Sequence, residues 1–221
     1  MYSYHQCLSQ IEFEPDYQPI FFDVGCNINF IPAHCGVLDD FTELCLNKHP
    51  NSKCYGIDPL HWQAYEEKYK DNSKVTLLKT ALSDKVEKRT LYIPGADDPV
   101  IAHAISSLWN RKDFACGIKE VEVDCTTIDL LMFEHKLDKI DYLKIDAEGA
   151  ELYILKGAKK ALENKKINFI QVEFPSNGTS GTYEDAGYTP LDLINYLNKN
   201  EYVEIFETDS EKLFTFKENL T

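Results

Sequence analysis

Eleven consecutive residues carry most of the chemistry in this chain: Asp141-Tyr142-Leu143-Lys144-Ile145-Asp146-Ala147-Glu148-Gly149-Ala150-Glu151. An apolar run holding one lysine ends in Asp146, and Glu148 and Glu151 follow across a glycine turn. A carboxylate at such a turn can take a proton from a hydroxyl, and a second carboxylate nearby raises its pKa and makes it a better base. Glu173, at the end of Ile167-Asn168-Phe169-Ile170-Gln171-Val172, is a third candidate beside Asp146 and Glu148. Converging oxygens of this kind can also hold Mg²⁺ or another hard cation; a divalent metal is possible on these residues, but the reading taken is proton transfer with no metal. A plainer role also exists for Glu148 and Glu151, as acids gathered by a helix N-terminus, with Glu151 simply solvated.

These residues need a scaffold, and the apolar patterning supplies one. Ile20-Phe21-Phe22-Asp23-Val24, unalternating and closed by Gly25, reads as a strand buried on both faces. Val37, Leu38, Phe41, Leu44, Cys45 and Leu46 recur at helical spacing until Pro50. Strands follow at 53–57, 75–78, 141–145 and 167–172, with helices over 61–70, about 150–162, and 190–199. Residues 90–93 and 121–125 alternate as strands do, and the stretch 94–118 between them, rich in Gly, Pro, Asp and Ser, reads as an excursion with a mobile loop. Residues 202–206 and 213–216 are strands joined by so short a turn that they must be antiparallel. Alternating strands and helices call for an α/β fold, a mostly parallel sheet covered on both faces, with one antiparallel strand at the end. Neither repeats nor a low-complexity linker divide the chain, so residues 1–221 read as one domain, with 1–18 as a loosely packed arm or short helix.

Ligands of open α/β sheets bind beyond the carboxyl ends of the strands. A dinucleotide needs G-x-G-x-x-G after the first strand, whereas the window from Gly25 reads Gly-Cys-Asn-Ile-Asn-Phe. The loop suits a nucleoside without a diphosphate, and a nicotinamide-dependent oxidoreductase is disfavoured. Asp23 could pair with an ammonium group, and Asp58 could accept hydrogen bonds from two ribose hydroxyls. In Ile101-Ala102-His103-Ala104-Ile105-Ser106-Ser107-Leu108-Trp109, His103 reads either as an ordinary loop histidine or as part of a lid over a substrate. In the lid reading Ser106 and Ser107 bond sugar hydroxyls and Trp109 stacks on a sugar ring.

Taken in order, FFDVGCN (21–27), YGIDP (55–59), KTALSD (79–84), VDCTTID (123–129), DYLKIDAEGAELYILKGA (141–158) and FIQVEFP (169–175) resemble the FkbM-type methyltransferases. These are class I S-adenosylmethionine-dependent enzymes, many of which O-methylate sugars or natural products. The resemblance implies a Rossmann-like three-layer sandwich with a seven-stranded sheet whose last strand is antiparallel. It assigns Asp23, Gly25, Cys26 and Asn27 to the methionine end of S-adenosylmethionine, Asp58 and Pro59 to the ribose, and Thr80 and Ala81, with Ser83 nearby, to the adenine. Asp146 borders that site too. The chain departs from the family in having Asn29 where a second glycine is usual, and in an extra loop around Pro32-Ala33-His34. The family also tends to carry a Ser-Ser-Leu patch like 106–108. The function implied is O-methyl transfer to a sugar or glycan hydroxyl; the alternatives are a non-sugar small molecule, or an inactive nucleoside-binding module of the same fold.

Charge narrows the partners. With 37 acidic against 23 basic residues the net charge is −14, a field that repels nucleic-acid backbones and anionic lipid surfaces. No nucleic acid and no membrane are expected as partners, only a small-molecule or glycan acceptor, and nothing in these patterns sets an oligomeric state. No apolar run of about 18 residues exists. The first residues carry neither the basic nor the apolar region of a secretory signal. The seven cysteines form no CxxC pair, so they read as reduced, buried thiols of a cytoplasmic protein.

Overall fold

In the computed structural model, residues 3–26, 29–30, 38–60, 62–95, 99–112, 117–174 and 181–220 are described. The chain opens with helix α1 (Ser3–Ser9), strand β1 (Ile20–Val24) and a two-residue pairing of β2 (Asn29–Phe30) with β3 (Leu38–Asp39). Next come α2 (Phe41–Lys48), β4 (Lys53–Ile57), α3 (Trp62–Tyr69), β5 (Val75–Leu78) and β6 (Ala81–Leu82). The middle holds β7 (Glu87–Pro94), α4 (Pro99–Ala104), β8 (Ile118–Thr126) and α5 (Ile128–Glu134). The remainder is β9 (Ile140–Ile145), α6 (Glu151–Gly157), α7 (Lys159–Glu163), β10 (Ile167–Glu173), α8 (Gly181–Asp185), α9 (Pro190–Lys199), β11 (Tyr202–Glu207) and β12 (Glu211–Phe216).

Seven strands form the main sheet in the order β11-β12-β10-β9-β1-β4-β5. All are parallel except β12, which runs antiparallel between β10 and β11. The unbroken apolar runs belong to the central strands because both faces there are covered: β9 is buried at every position. Phe21 and Tyr142 face one layer with Cys7, Leu8, Phe41 and Leu213. Phe22, Val24, Leu143, Ile145 and Val172 face the other, with Leu152, Leu155 and Leu197. Each such side chain contributes on the order of 1.5–3 kcal/mol by leaving water.

Several local expectations shift. The helix read from Val37 starts at Phe41 instead, because the Asp40 carboxylate accepts the Glu43 N–H at 3.0 Å and caps it there. The helix read over 150–162 breaks in two at Ala158. Gly157 lies so close to the Ser83 carbonyl that a Cβ would overlap it, so α6 is pressed onto the segment after β6. The N-terminal arm is a helix packed on β12 and α2, with Cys7 and Leu8 buried. The strands read at 90–93 and 121–125 lie outside the main sheet: β7 pairs antiparallel with β8, and β6 completes a small separate sheet. Cys7, Cys26, Cys45, Cys54 and Cys125 are free, buried thiols, while Cys35 and Cys116 lie outside the described residues.

The direction of winding changes between β1 and β9. From β1 the chain passes outward to β4 and β5, then returns to β9 on the other side of β1. A crevice therefore opens beyond the carboxyl ends of β1 and β9, where Gly25 and Asp146 stand.

Candidate active site

Gly25 turns out of β1 with φ +75°, and a Cβ there would overlap the Asp146 carbonyl oxygen. The two strand ends can approach only because residue 25 has no side chain. They border a cleft that opens to solvent beyond the strand ends. Gly25, Asp58, Pro59, Thr80, Ala81 and Asp146 line it, as do His103 and Ser106. Ile57, Leu60, Leu82 and Leu91 supply apolar walls that the motifs did not reveal. One Asp58 oxygen accepts the Leu60 N–H at 2.6 Å, which fixes the carboxylate at the rim. The Thr80 hydroxyl donates to the Asp124 carbonyl at 2.9 Å and so turns toward β8.

Two expected ligand contacts are placed elsewhere. Asp23 lies on the opposite face of the sheet, 2% exposed, in register with Lys144. Its carboxylate accepts from Thr42 Oγ1 at 3.1 Å and has Lys144 Nζ at 3.7 Å. Side chains alternate along a strand, so Asp23 points away from Val24, which lines the cleft. Cys26 is buried against Tyr65 and Tyr69. Asn27 lies outside the described residues, as do Pro32, Ala33 and His34.

The carboxylates come together at the ends of β9 and β10. Asp146, Glu148 and Glu173 each bring an oxygen within 4.8 Å of the others. Lys144 Nζ donates to Asp146 at 3.1 Å and holds that carboxyl below its usual range. Burial and the neighbouring Asp146 charge push the Glu173 carboxyl well above its usual range. Glu148 is raised to about 7 by burial and Asp146, against the pull of the Arg111 guanidinium, which is ion-paired with it. Glu148 holds φ +49°, a left-handed conformation that costs a non-glycine residue on the order of 1 kcal/mol. The surroundings impose it: Ser107 Oγ donates to the Glu148 carbonyl at 2.7 Å, and Arg111 fixes the carboxylate.

Glu151 is not solvated but 1% exposed. It accepts from the Ala147 N–H at 2.9 Å, from the Gly149 N–H at 3.0 Å and from the Tyr188 hydroxyl at 2.9 Å, tying down the turn that carries Glu148. Two of the substrate assignments also change. Ser107 is fully buried and engaged with Glu148. Trp109 lines neither of the two clefts described; its ring packs on Arg89, 4.5 Å away, and on Tyr153, 5.0 Å away. Arg111 and Lys144 are cations paired with these carboxylates, with Glu148 and Asp146 respectively. Lys144 stood in view within the motif, whereas Arg111 in an irregular stretch gave no signal of a partner 37 residues later.

This clustering makes the fold prefer mild acid. Burial raises Asp23 to about 6, and Glu148 and Glu151 to about 7, with Glu173 above its usual range. Between the unfolded and folded pKa values the native state holds protons that the unfolded state has lost, so stability falls as pH rises through that window and is flat above it. Asp146 has the opposite sign and contributes stability that is lost only in stronger acid. The urea midpoint at pH 5.5 is expected to exceed that at pH 8, by about 2 kcal/mol or more in unfolding free energy. A higher midpoint at pH 8 would contradict the burial of these acids.

A family model described as "Methyltransferase FkbM domain" matches residues 23–204. Among solved structures, "Methyltransferase FkbM" from Methylobacillus flagellatus KT superposes with a TM-score of 0.54 at 17% identity, over 97% of this chain and 48% of that one. The chain thus spans about half the length of that relative. A fibrillarin pre-rRNA processing protein from Methanococcus jannaschii aligns with a TM-score of 0.45 at 8% identity, over 94% of this chain and 70% of that one. No curated protein matches the sequence. Among the described residues no helix is long and apolar enough to cross a membrane.

Proposed function

We propose that this chain, which belongs to the FkbM methyltransferase family, holds S-adenosylmethionine in the cleft beside Gly25 and transfers its methyl group to an acceptor hydroxyl. The observation that carries this reading is the wall between cleft and carboxylates: the strand-end residues suited to a nucleoside line the same space as Asp146, Glu148 and Glu173. Asp58 would hold the ribose hydroxyls, Ala81 and Leu82 would cover the base, and Gly25 leaves room at the methionine end. When bound, S-adenosylmethionine supplies a methyl group on a positively charged sulfur, an electrophile needing no activation by the protein.

The chain's own residues have two tasks. The first is alignment, which brings the acceptor oxygen in line with the methyl carbon and removes the entropic cost of their meeting. The second is removal of the acceptor proton, which falls to Glu148. Its carboxyl, near 7, is half ionised at neutral pH, which suits a general base. Glu148 would accept the hydroxyl proton as the acceptor oxygen takes up the methyl group that bound S-adenosylmethionine would supply. Asp146, held below its usual range beside Lys144, and Glu173, pushed up by burial and Asp146, set the charge around that base. The acceptor is proposed to be a sugar or glycan hydroxyl, with a non-sugar small molecule as the alternative.

A second reading rests on the spacing of the three carboxylates, which also suits a hard cation that would acidify the hydroxyl. Transfer that survives EDTA supports Glu148 as the base; loss on chelation with recovery in Mg²⁺ supports the cation. For the cofactor, Asp58→Asn keeps an acceptor for the Leu60 N–H but loses a charge-assisted bond to the ribose. Calorimetry should show affinity for S-adenosylhomocysteine falling about 10–100-fold, from the loss of about 1.5–3 kcal/mol. Unchanged affinity would remove Asp58 from the site.

A further inference from the structure

Three separate parts of the carboxylate centre meet one short segment, residues 181–188, made of α8 and the turn after it. Thr182, Tyr183 and Ala186 share one face at helical spacing and are buried, while Glu184 and Gly187 are exposed. The Tyr188 N–H donates to the Tyr183 carbonyl at 3.1 Å, which folds the turn back and sets the two tyrosine rings 4.6 Å apart. From α6, the Tyr153 hydroxyl donates to the Ala186 carbonyl at 2.9 Å and holds the turn in place. Thr182 and Tyr183 also line a second cleft, behind the carboxylates.

Contacts from this segment reach each part in turn. The Tyr183 hydroxyl donates to the Glu173 carbonyl at the end of β10. Asp185 accepts the Lys112 N–H at 2.9 Å and pairs with Lys112 Nζ at 3.0 Å, next to Arg111. Thr182 and Ala186 pack on Gly149, and the Tyr188 hydroxyl donates to Glu151 at 2.9 Å. That last bond bears most directly on Glu148. Glu151 accepts the N–H groups of Ala147 and Gly149, the residues on either side of Glu148. A left-handed residue keeps its conformation only where its neighbours are fixed. A reacting group displaced by 1 Å can lose about 10²-fold in rate.

We propose that Tyr188 is a positioning residue: acting through Glu151, it holds Ala147 and Gly149 and so fixes the direction in which Glu148 presents its carboxyl. This rests on reading Glu148 as the base. A phenol suits the task because its ring sits between Tyr183 and Tyr153, with centroids 4.6 and 6.1 Å away, and its hydroxyl gives a carboxylate a charge-assisted bond. Residues 181–188 then tie the turn after β9 to the end of β10 and to the Arg111 segment, so that the acids and their cation are held as one unit.

The test is NMR on the isotope-labelled full chain. Tyr188→Phe removes the hydroxyl and keeps the ring. Amide hydrogen exchange at Ala147 and Gly149 should become at least about tenfold faster, from the loss of a bond to a carboxylate. The nuclear Overhauser contact between the Arg111 and Glu148 side chains should weaken with it. Glu151→Gln leaves only one acceptor oxygen, should act in the same direction, and serves alone if Tyr188→Phe does not fold. Tyr202→Phe is the control for a merely structural loss: its hydroxyl is also buried and donates to the Ile167 carbonyl at 2.7 Å, away from the turn. That control should leave both readouts unchanged. Exchange within about threefold of the unaltered chain in both variants, equal acceleration in Tyr202→Phe, or faster exchange with an unweakened contact between Arg111 and Glu148 would overturn the proposal. Normal turnover in Glu148→Gln would instead overturn the reading of Glu148 as the base, a separate outcome because neither NMR readout depends on it.

Discussion

Glu148→Gln is expected to lower the turnover number by about 10²–10⁴-fold while leaving affinity for S-adenosylhomocysteine within about threefold. Glutamine keeps the size of the side chain and can still accept from Arg111, so the ion pair becomes a hydrogen bond and the turn persists. What is lost is the ability to take a proton. In the unaltered chain the transfer rate should rise with pH through about 7, because the base must be ionised and burial with Asp146 raises it to that value. The variant should lose that rise. Near-normal turnover in Glu148→Gln would move the base to Asp146 or Glu173. Asp146→Asn then serves as the second arm, since Asp146 stands against Lys144 and beside Glu173.

Gly25→Ala is expected to be the most damaging single substitution at the site. An alanine must adopt φ near +75° and place its Cβ within the radius of the Asp146 carbonyl oxygen. The neighbour is backbone at the end of β9 and cannot rotate aside, so β1 and β9 must part. The Asp146 N–H to Val24 carbonyl bond, 3.1 Å long, lies in the path of that movement. Strain and lost strand contact should cost about 3–5 kcal/mol, the range of severe core substitutions. Chemical denaturation should show the loss directly, and any folded fraction should bind S-adenosylhomocysteine poorly. A stable variant that binds normally would mean that the strand ends are not so tightly joined.

The sheet was legible because burial on both faces leaves unbroken apolar runs, as in Phe21-Phe22 and Tyr142-Leu143. The antiparallel last strand followed from the short turn between 207 and 211. The acidic cluster was legible for a similar reason: residues at the ends of adjacent strands converge wherever those strands pair, and β9 and β10 do. Residues whose roles depend on distant partners were not legible. Glu151 has the composition of a solvated helix acid, and only the fold brings the Tyr188 hydroxyl onto it. Trp109 looked like a stacking platform until Arg89 and Tyr153 took its ring. Asp23 carries a motif acid's position, yet strand alternation turns it to the opposite face, toward Lys144 and Thr42.

The most direct test of the cofactor cleft is the thermal unfolding midpoint with S-adenosylhomocysteine and, separately, with NADH. At a hundred times its dissociation constant a ligand adds about 2.7 kcal/mol, which moves the midpoint of a domain this size by roughly 5–10 °C. A shift of that size with S-adenosylhomocysteine and none with NADH is the result expected from a loop with Gly25 but no further phosphate-binding glycines. A shift with NADH alone, or with neither ligand in folded protein, would contradict the assignment of this cleft to S-adenosylmethionine.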